Sequence, residues 1–127
     1  MEESNWRFAT VSRLGAIAIL RPHSPLLGED ATEEFRDQAR TLNDEGVACL
    51  VVSLVDVDWM NSAGLGAVVD AHQRFTKRGG HVHIAAAGPR IMNLLRVTRL
   101  AQVLDLYPTE EAAVADAQEH VARLTGT

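Results

Sequence analysis

Val51-Val52-Ser53-Leu54-Val55-Asp56-Val57-Asp58-Trp59-Met60-Asn61-Ser62-Ala63-Gly64-Leu65-Gly66 closes an almost uninterrupted apolar run, Val47 to Val57, and opens an amphipathic one, Leu65 to Phe75. That order reads as a buried strand, a tight connection and a helix. The connection sets Asn61 and Ser62 at the helix N-terminus, where the first backbone N–H groups have no intrahelical acceptor. A serine hydroxyl there can cap the helix, and a negative charge beside it is favoured. Gly64 and Gly66 strip side chains from the first turn, either for close helix–sheet packing or to let another molecule approach the backbone. Met60 is expected in the core. Trp59 fits either the core or a contact surface.

Working outward, the amphipathic run carries Leu65, Val68, Val69, His72 and Phe75 on one stripe and is stopped by Gly79-Gly80. His81 to Ala87 is the next strand, with Val82 and Ile84 on one face and His81, His83 and Ala85 on the other. Pro89 suits the first turn of a helix whose stripe is Ile91, Leu94 and Leu95. Val103 to Leu106 is either an edge strand or one helical turn. Thr109 caps a last helix with Glu110 and Glu111 in its first turn and a stripe of Ala113, Val114, Ala117, Val121 and Leu124.

Upstream, Trp6 to Leu14 and Ala16 to Arg21 flank Gly15 as a starting hairpin. Two prolines, Pro22 and Pro25, make a loop of Arg21 to Gly28. Asp30 and Glu33 have capping-box spacing ahead of a helix from Ala31 to Leu42, ended by Asn43-Asp44-Glu45-Gly46. Val47 to Leu54 is apolar on both faces and belongs in the middle of a covered sheet. Alternation of this kind predicts an α/β fold with a mixed sheet of four to five strands and about four helices.

At 127 residues the chain is expected to form one domain, residues 1–127, with its core over about 8–124. The hydrophobic fraction of 46% and charged fraction of 23% are those of an ordinary globular protein. A formal charge of −5, with no window concentrating Lys and Arg beyond Arg74, Lys77 and Arg78, argues against direct nucleic-acid binding. The acidic start Met1-Glu2-Glu3-Ser4 does not read as a signal peptide, and the longest apolar run is too short and interrupted to insert in a membrane. The single cysteine, Cys49, excludes an internal disulfide; it reads as a small core hydrophobe, consistent with a cytoplasmic setting.

Several polar features have ordinary readings. His81 and His83 have ligand-like spacing, but no third ligand stands at a recognisable spacing, so a solvated strand face is expected and no metal site. Glu29, Asp30, Glu33 and Glu34 read as a solvated helix start, with steering of a basic partner surface as the alternative. His72, on the apolar stripe, reads as a buried or half-buried polar residue with one partner. Ser62 precedes Gly-x-Gly without the Gly-x-Ser-x-Gly order of a nucleophile elbow, and no lysine follows to make a phosphate loop. No catalytic residue and no cofactor are expected. The chain does not read as an enzyme.

Val51 to Gly66, with the helix after it, the Gly79-Gly80 stop, the strand Val82 to Ala86, and Pro89 followed by Leu94-Leu95-Arg96-Val97-Thr98-Arg99-Leu100, resembles the STAS domain family, specifically the bacterial anti-sigma factor antagonists. The resemblance covers roughly Val11 to Val121. It implies a partner switch: the serine opening the helix, here Ser62, is phosphorylated by an anti-sigma factor that is itself a serine kinase, and a PP2C-type phosphatase resets it. The unphosphorylated protein binds the anti-sigma factor and frees a sigma factor, with ATP and magnesium belonging to the kinase. The implied partner surface is Trp59, Asn61, Ser62, Ala63, Gly64 and Gly66.

This sequence departs from the family pattern at defined places. Asn61 replaces the usual aspartate before the serine, Ala63 replaces a second hydroxyl residue, and Ser53 stands where the strand often ends in an acid. The segment Arg21 to Asp30 is also its own. These departures motivate a second reading: a STAS adaptor or scaffold subunit of a transporter or signalling assembly, never phosphorylated.

Overall fold

The computed structural model describes residues 2–23 and 29–124. Six strands form one sheet: β1 (Glu2–Asn5), β2 (Ala9–Leu14), β3 (Ile17–Pro22), β4 (Cys49–Ser53), β5 (His81–Ala85) and β6 (Asp105–Tyr107), in that spatial order. The first three pair antiparallel and β3 through β6 pair parallel. Parallel neighbours need crossovers, supplied by helices α1 (Glu29–Asp44), α2 (Ser62–Lys77) and α3 (Pro89–Val97). A short 3₁₀ turn, Leu100–Gln102, leads into β6, and α4 (Glu110–Leu124) ends the described chain.

Sheet alternation sorts the core into two layers. Leu50 and Val52 of β4, with Val82 and Ile84 of β5, face α1–α3 and pack with Phe35, Leu42, Val68, Phe75, Ile91 and Leu95. Cys49 and Val51 face the other way, with Ile17, Ile19 and Ala85, onto Ala113 and Ala117 of α4. Every residue of β4 is buried, as its two-sided apolar pattern requires. Among the described residues no helix is long and apolar enough to cross a membrane.

The chain turns where its residues allow. Gly79 takes a positive φ of 82°, and a side chain on Gly80 would come within 2.7 Å of the Ala48 carbonyl, so the exit from α2 admits no Cβ there. Thr109 caps α4 through its Oγ1, which accepts the Ala112 N–H at 3.0 Å.

Several expectations are corrected. The sheet has six strands rather than four or five, because β1, Glu-Glu-Ser-Asn, is an exposed edge with no apolar alternation to announce it. The second strand starts at Ala9; Trp6 lies in the turn between β1 and β2 and is 53% exposed. Helix α1 begins at Glu29, so Asp30 sits within its first turn instead of capping it, an arrangement the helix dipole favours. Glu34 is no solvated acid: its two carboxylate oxygens accept the Arg7 and Phe8 N–H groups at 3.1 and 2.8 Å. Leu124 ends α4 exposed and off the buried stripe. The Arg21 to Gly28 loop lies, from Ser24 onward, outside the described residues.

Candidate functional site

Strand β4 delivers the chain into a short connection that is anchored at both ends. The Leu54 N–H donates to the Ala85 carbonyl at 2.9 Å, and the Val57 N–H donates to the Leu54 carbonyl at 3.0 Å. Val57 and Met60 are buried, so the connection hangs from the core by two apolar side chains. The start of α2 is thereby held firmly at the sheet's end.

Asn61, not Ser62, is the N-cap of α2. Its backbone is extended (φ −88°, ψ −175°) and its Oδ1 accepts the Gly64 N–H at 3.0 Å. Asparagine does here what the serine was expected to do, because its carbonyl reaches the orphan N–H from one residue earlier. Ser62 is therefore the first helical residue. Asn61, Ser62 and Ala63 are exposed. Among the described residues no hydrogen bond occupies the Ser62 hydroxyl.

The first turn of α2 carries no acidic side chain, so the positive end of its dipole is not offset from within the helix. Beside Ser62 runs a shallow groove lined by Arg36, Leu65, Gly66, Val69 and Leu100. Arg36 reaches over Gly66, where a Cβ would meet its guanidinium at 3.5 Å, and pairs with Asp70 at 3.8 Å. Trp59 is half-buried, with the Arg90 guanidinium 4.8 Å from its ring centroid.

The expected contact residues thus separate. Asn61, Ser62 and Ala63 are presented together; Gly66 and Trp59 flank them, half-covered; Gly64 is buried. Sequence reasoning misses Arg36 and Arg90, since they arrive from α1 and α3 and no local spacing joins them to Ser62.

A second polar cluster lies on the opposite face, where a solvated strand was expected. His83 is 1% exposed, and its Nε2 lies 3.0 Å from Asp116 Oδ2. The Tyr107 hydroxyl donates to the same oxygen at 2.6 Å, and His120 Nε2 lies 3.3 Å from it. His81 is half-buried and stacks on His120 with ring centroids 3.9 Å apart. Burial pushes the His83 pKa below its ordinary value, while the Tyr107 hydrogen bond holds Asp116 below the usual carboxylate range. Burial also raises the Cys49 thiol to about 11, so it stays protonated at neutral pH.

Known proteins share both the sequence pattern and the architecture. The family model described as the STAS domain matches residues 9–113. The anti-sigma-B factor antagonist of Bacillus subtilis (strain 168) is 30% identical over 80 residues, which are 63% of this chain and 72% of that protein. The anti-sigma F factor antagonist of Paenibacillus polymyxa is 26% identical over 85 residues, 63% of this chain and 73% of that one. Among solved structures, an anti-sigma factor antagonist from Mycobacterium paratuberculosis superposes with a TM-score of 0.75 at 18% identity, covering 87% of this chain and 92% of its own. The Bacillus cell fate determinant SpoIIAA in its phosphorylated form gives 0.67 at 18% identity, covering 85% and 97%. At that identity the structural likeness concerns the fold alone.

Proposed function

The chain belongs to the STAS domain family, and on that footing we propose that it is an anti-sigma factor antagonist working by partner switching through Ser62. Unphosphorylated, it binds an anti-sigma factor that is a serine kinase; phosphorylated on Ser62, it lets that partner go, and a PP2C-type phosphatase restores it. The names of the Bacillus and Paenibacillus relatives support the general role. One observation carries the finer reading: Ser62 is exposed at the first position of α2 while Asn61 does the capping. Phosphorylation therefore removes no hydrogen bond that the helix start uses.

Energetics favour such a switch. A phosphoserine adds roughly −1.5 to −2 charges, and at an N-terminus with no acid in its first turn this stabilises the helix by about 0.3–1 kcal/mol. Across a docked interface the sign reverses. One like-charge contact at about 4 Å, with an effective dielectric near 20, costs on the order of 4 kcal/mol, or roughly a thousandfold in affinity. The domain accepts the charge that its partner cannot.

The partner surface in this reading is Trp59, Asn61, Ser62, Ala63 and Gly66, with Arg36 and Arg90 beside it. The test is incubation of the purified chain with the candidate kinase and Mg-ATP, followed by mass spectrometry. Phosphate is expected on Ser62. Ser62→Asp is expected to bind the kinase about a thousandfold more weakly, and Ser62→Ala to bind but resist release by ATP. Equal binding by both variants, with no phosphate on Ser62, would overturn the switch and favour a constitutive adaptor.

A further inference from the structure

Three metal-ligating side chains converge on the sheet face opposite Ser62, with His81 alongside. His81 and His83, two apart on β5, point the same way. Asp116 and His120, four apart on α4, lie over them. His83 Nε2 and His120 Nε2 stand 3.0 and 3.3 Å from the same oxygen, Asp116 Oδ2. The three ligand atoms all lie within 4.8 Å of one another. We propose that this cluster binds a divalent transition-metal ion of the zinc class, held by His83, Asp116 and His120, with the His81 ring stacked on His120 beside it.

Donor chemistry selects the ion. Two imidazoles with one carboxylate suit zinc and its neighbours, whereas calcium and magnesium want oxygen throughout. With zinc bonds of about 2.0–2.1 Å, ligand atoms in a tetrahedron sit about 3.3 Å apart. Two of the three separations already match. The remaining one closes by rotation of His120, which is 25% exposed and must part from its stack on His81 to turn. Small residues let it happen: Ala113 and Ala117 bring α4 close to the sheet.

The surroundings support the ligands. Tyr107 donates to Asp116 Oδ2 at 2.6 Å and fixes the carboxylate, the arrangement that tunes a metal's ligands from behind. His83 has one ring nitrogen toward Asp116, while its Nδ1 is buried with no partner among the described residues. That nitrogen keeps the proton when Nε2 takes the metal, and burial beneath α4 holds the ring. Arg123 is exposed and lies 3.2 Å from His120 Nδ1; it turns aside when that nitrogen keeps the proton and Nε2 takes the metal.

The test uses the full chain stripped with a chelator, titrated with Zn²⁺ by calorimetry and with Co²⁺ by visible absorption. One equivalent is expected to bind at micromolar concentration and to raise the melting temperature by mass action. The Co²⁺ spectrum is expected to show a nitrogen–oxygen site without thiolate charge transfer, since Cys49 takes no part. His120→Ala and Asp116→Asn, both near the surface of α4, are expected to weaken binding at least about tenfold, with His72→Ala unchanged. Metal-free unfolding of each variant checks that it folds. Binding no tighter than millimolar, or affinity unmoved in both α4 variants, overturns the proposal. Neither result bears on Ser62, so the two readings fail separately.

Discussion

Helix α2 begins on Asn61 with no acidic side chain in its first turn, whereas helix α4 begins on Thr109 with Glu110 and Glu111 in its first turn. Both have a side-chain cap, so the difference lies in charge. At α4 the positive end of the dipole is already answered. Glu110 also meets Arg21 of β3 in a two-pronged pair, Nε to Oε2 at 2.9 Å and Nη2 to Oε1 at 2.6 Å. At α2 the same dipole faces outward, with an exposed hydroxyl on it. One start is closed and tied to the sheet; the other is left able to take a charge.

Breaking the closed start should have the largest effect. Arg21→Met removes both prongs from Glu110 and is expected to cost about 1.5 kcal/mol at neutral pH, the low end for charge-assisted bonds because both side chains are partly exposed. The Arg21 hydrogen bond holds the Glu110 pKa below its ordinary value. A depressed carboxylate contributes stability that is present above its unfolded pKa and is lost as pH falls through the folded one. The gap between wild type and Arg21→Met, measured by urea unfolding, should therefore shrink on going from neutral pH to about pH 3. An unchanged gap would assign the cost to Arg21 packing and its bond to the Ser12 hydroxyl instead of its pairing with Glu110.

Much of this contrast is legible in the residues. Thr109 followed by Glu110 and Glu111 announces a capped, charge-matched start, because every group involved is local. The two-sided apolar run of β4 places it in the middle of the sheet for the same reason. Asn61 and Ser62 fall at the turn the sequence assigns them, yet the capping role belongs to the asparagine and not the serine. Both residue types can cap, and only backbone dihedrals decide which one stands just outside the helix. Arg21 with Glu110, and His83 with Asp116 and His120, cannot be read locally, since each pair joins β-strands to α4 across long sequence separations. Strand β1 escapes because its side chains are all exposed and polar, bonding across to Thr10 and Ser12 of β2 with no apolar alternation.

The two capping bonds should be of similar worth, which sharpens the comparison. Asn61→Ala and Thr109→Ala each remove one side-chain acceptor from an orphan N–H and are expected to cost about 1 kcal/mol. Thermal or urea unfolding of the two variants measures it. A far larger loss at Asn61 would show that its side chain holds more than the Gly64 N–H.

The smallest effect is the most telling. Ser62→Asp adds a charge at the first position of α2, where no acid stands, and is expected to stabilise the fold by about 0.3–1 kcal/mol at low salt. A further acid in the first turn of α4, Ala112→Glu at its third position, should gain less, since Glu110 and Glu111 already answer the dipole there. Both gains should fade as salt screens the dipole. Urea unfolding at two ionic strengths reads all four values. A domain that is to be charged and discharged at Ser62 must treat the two states as nearly equal in stability, so that the free energy of modification acts on the partner. A clear loss of stability in Ser62→Asp would place the burden on the fold, and α2 could then no longer serve as the fixed support from which a partner is displaced.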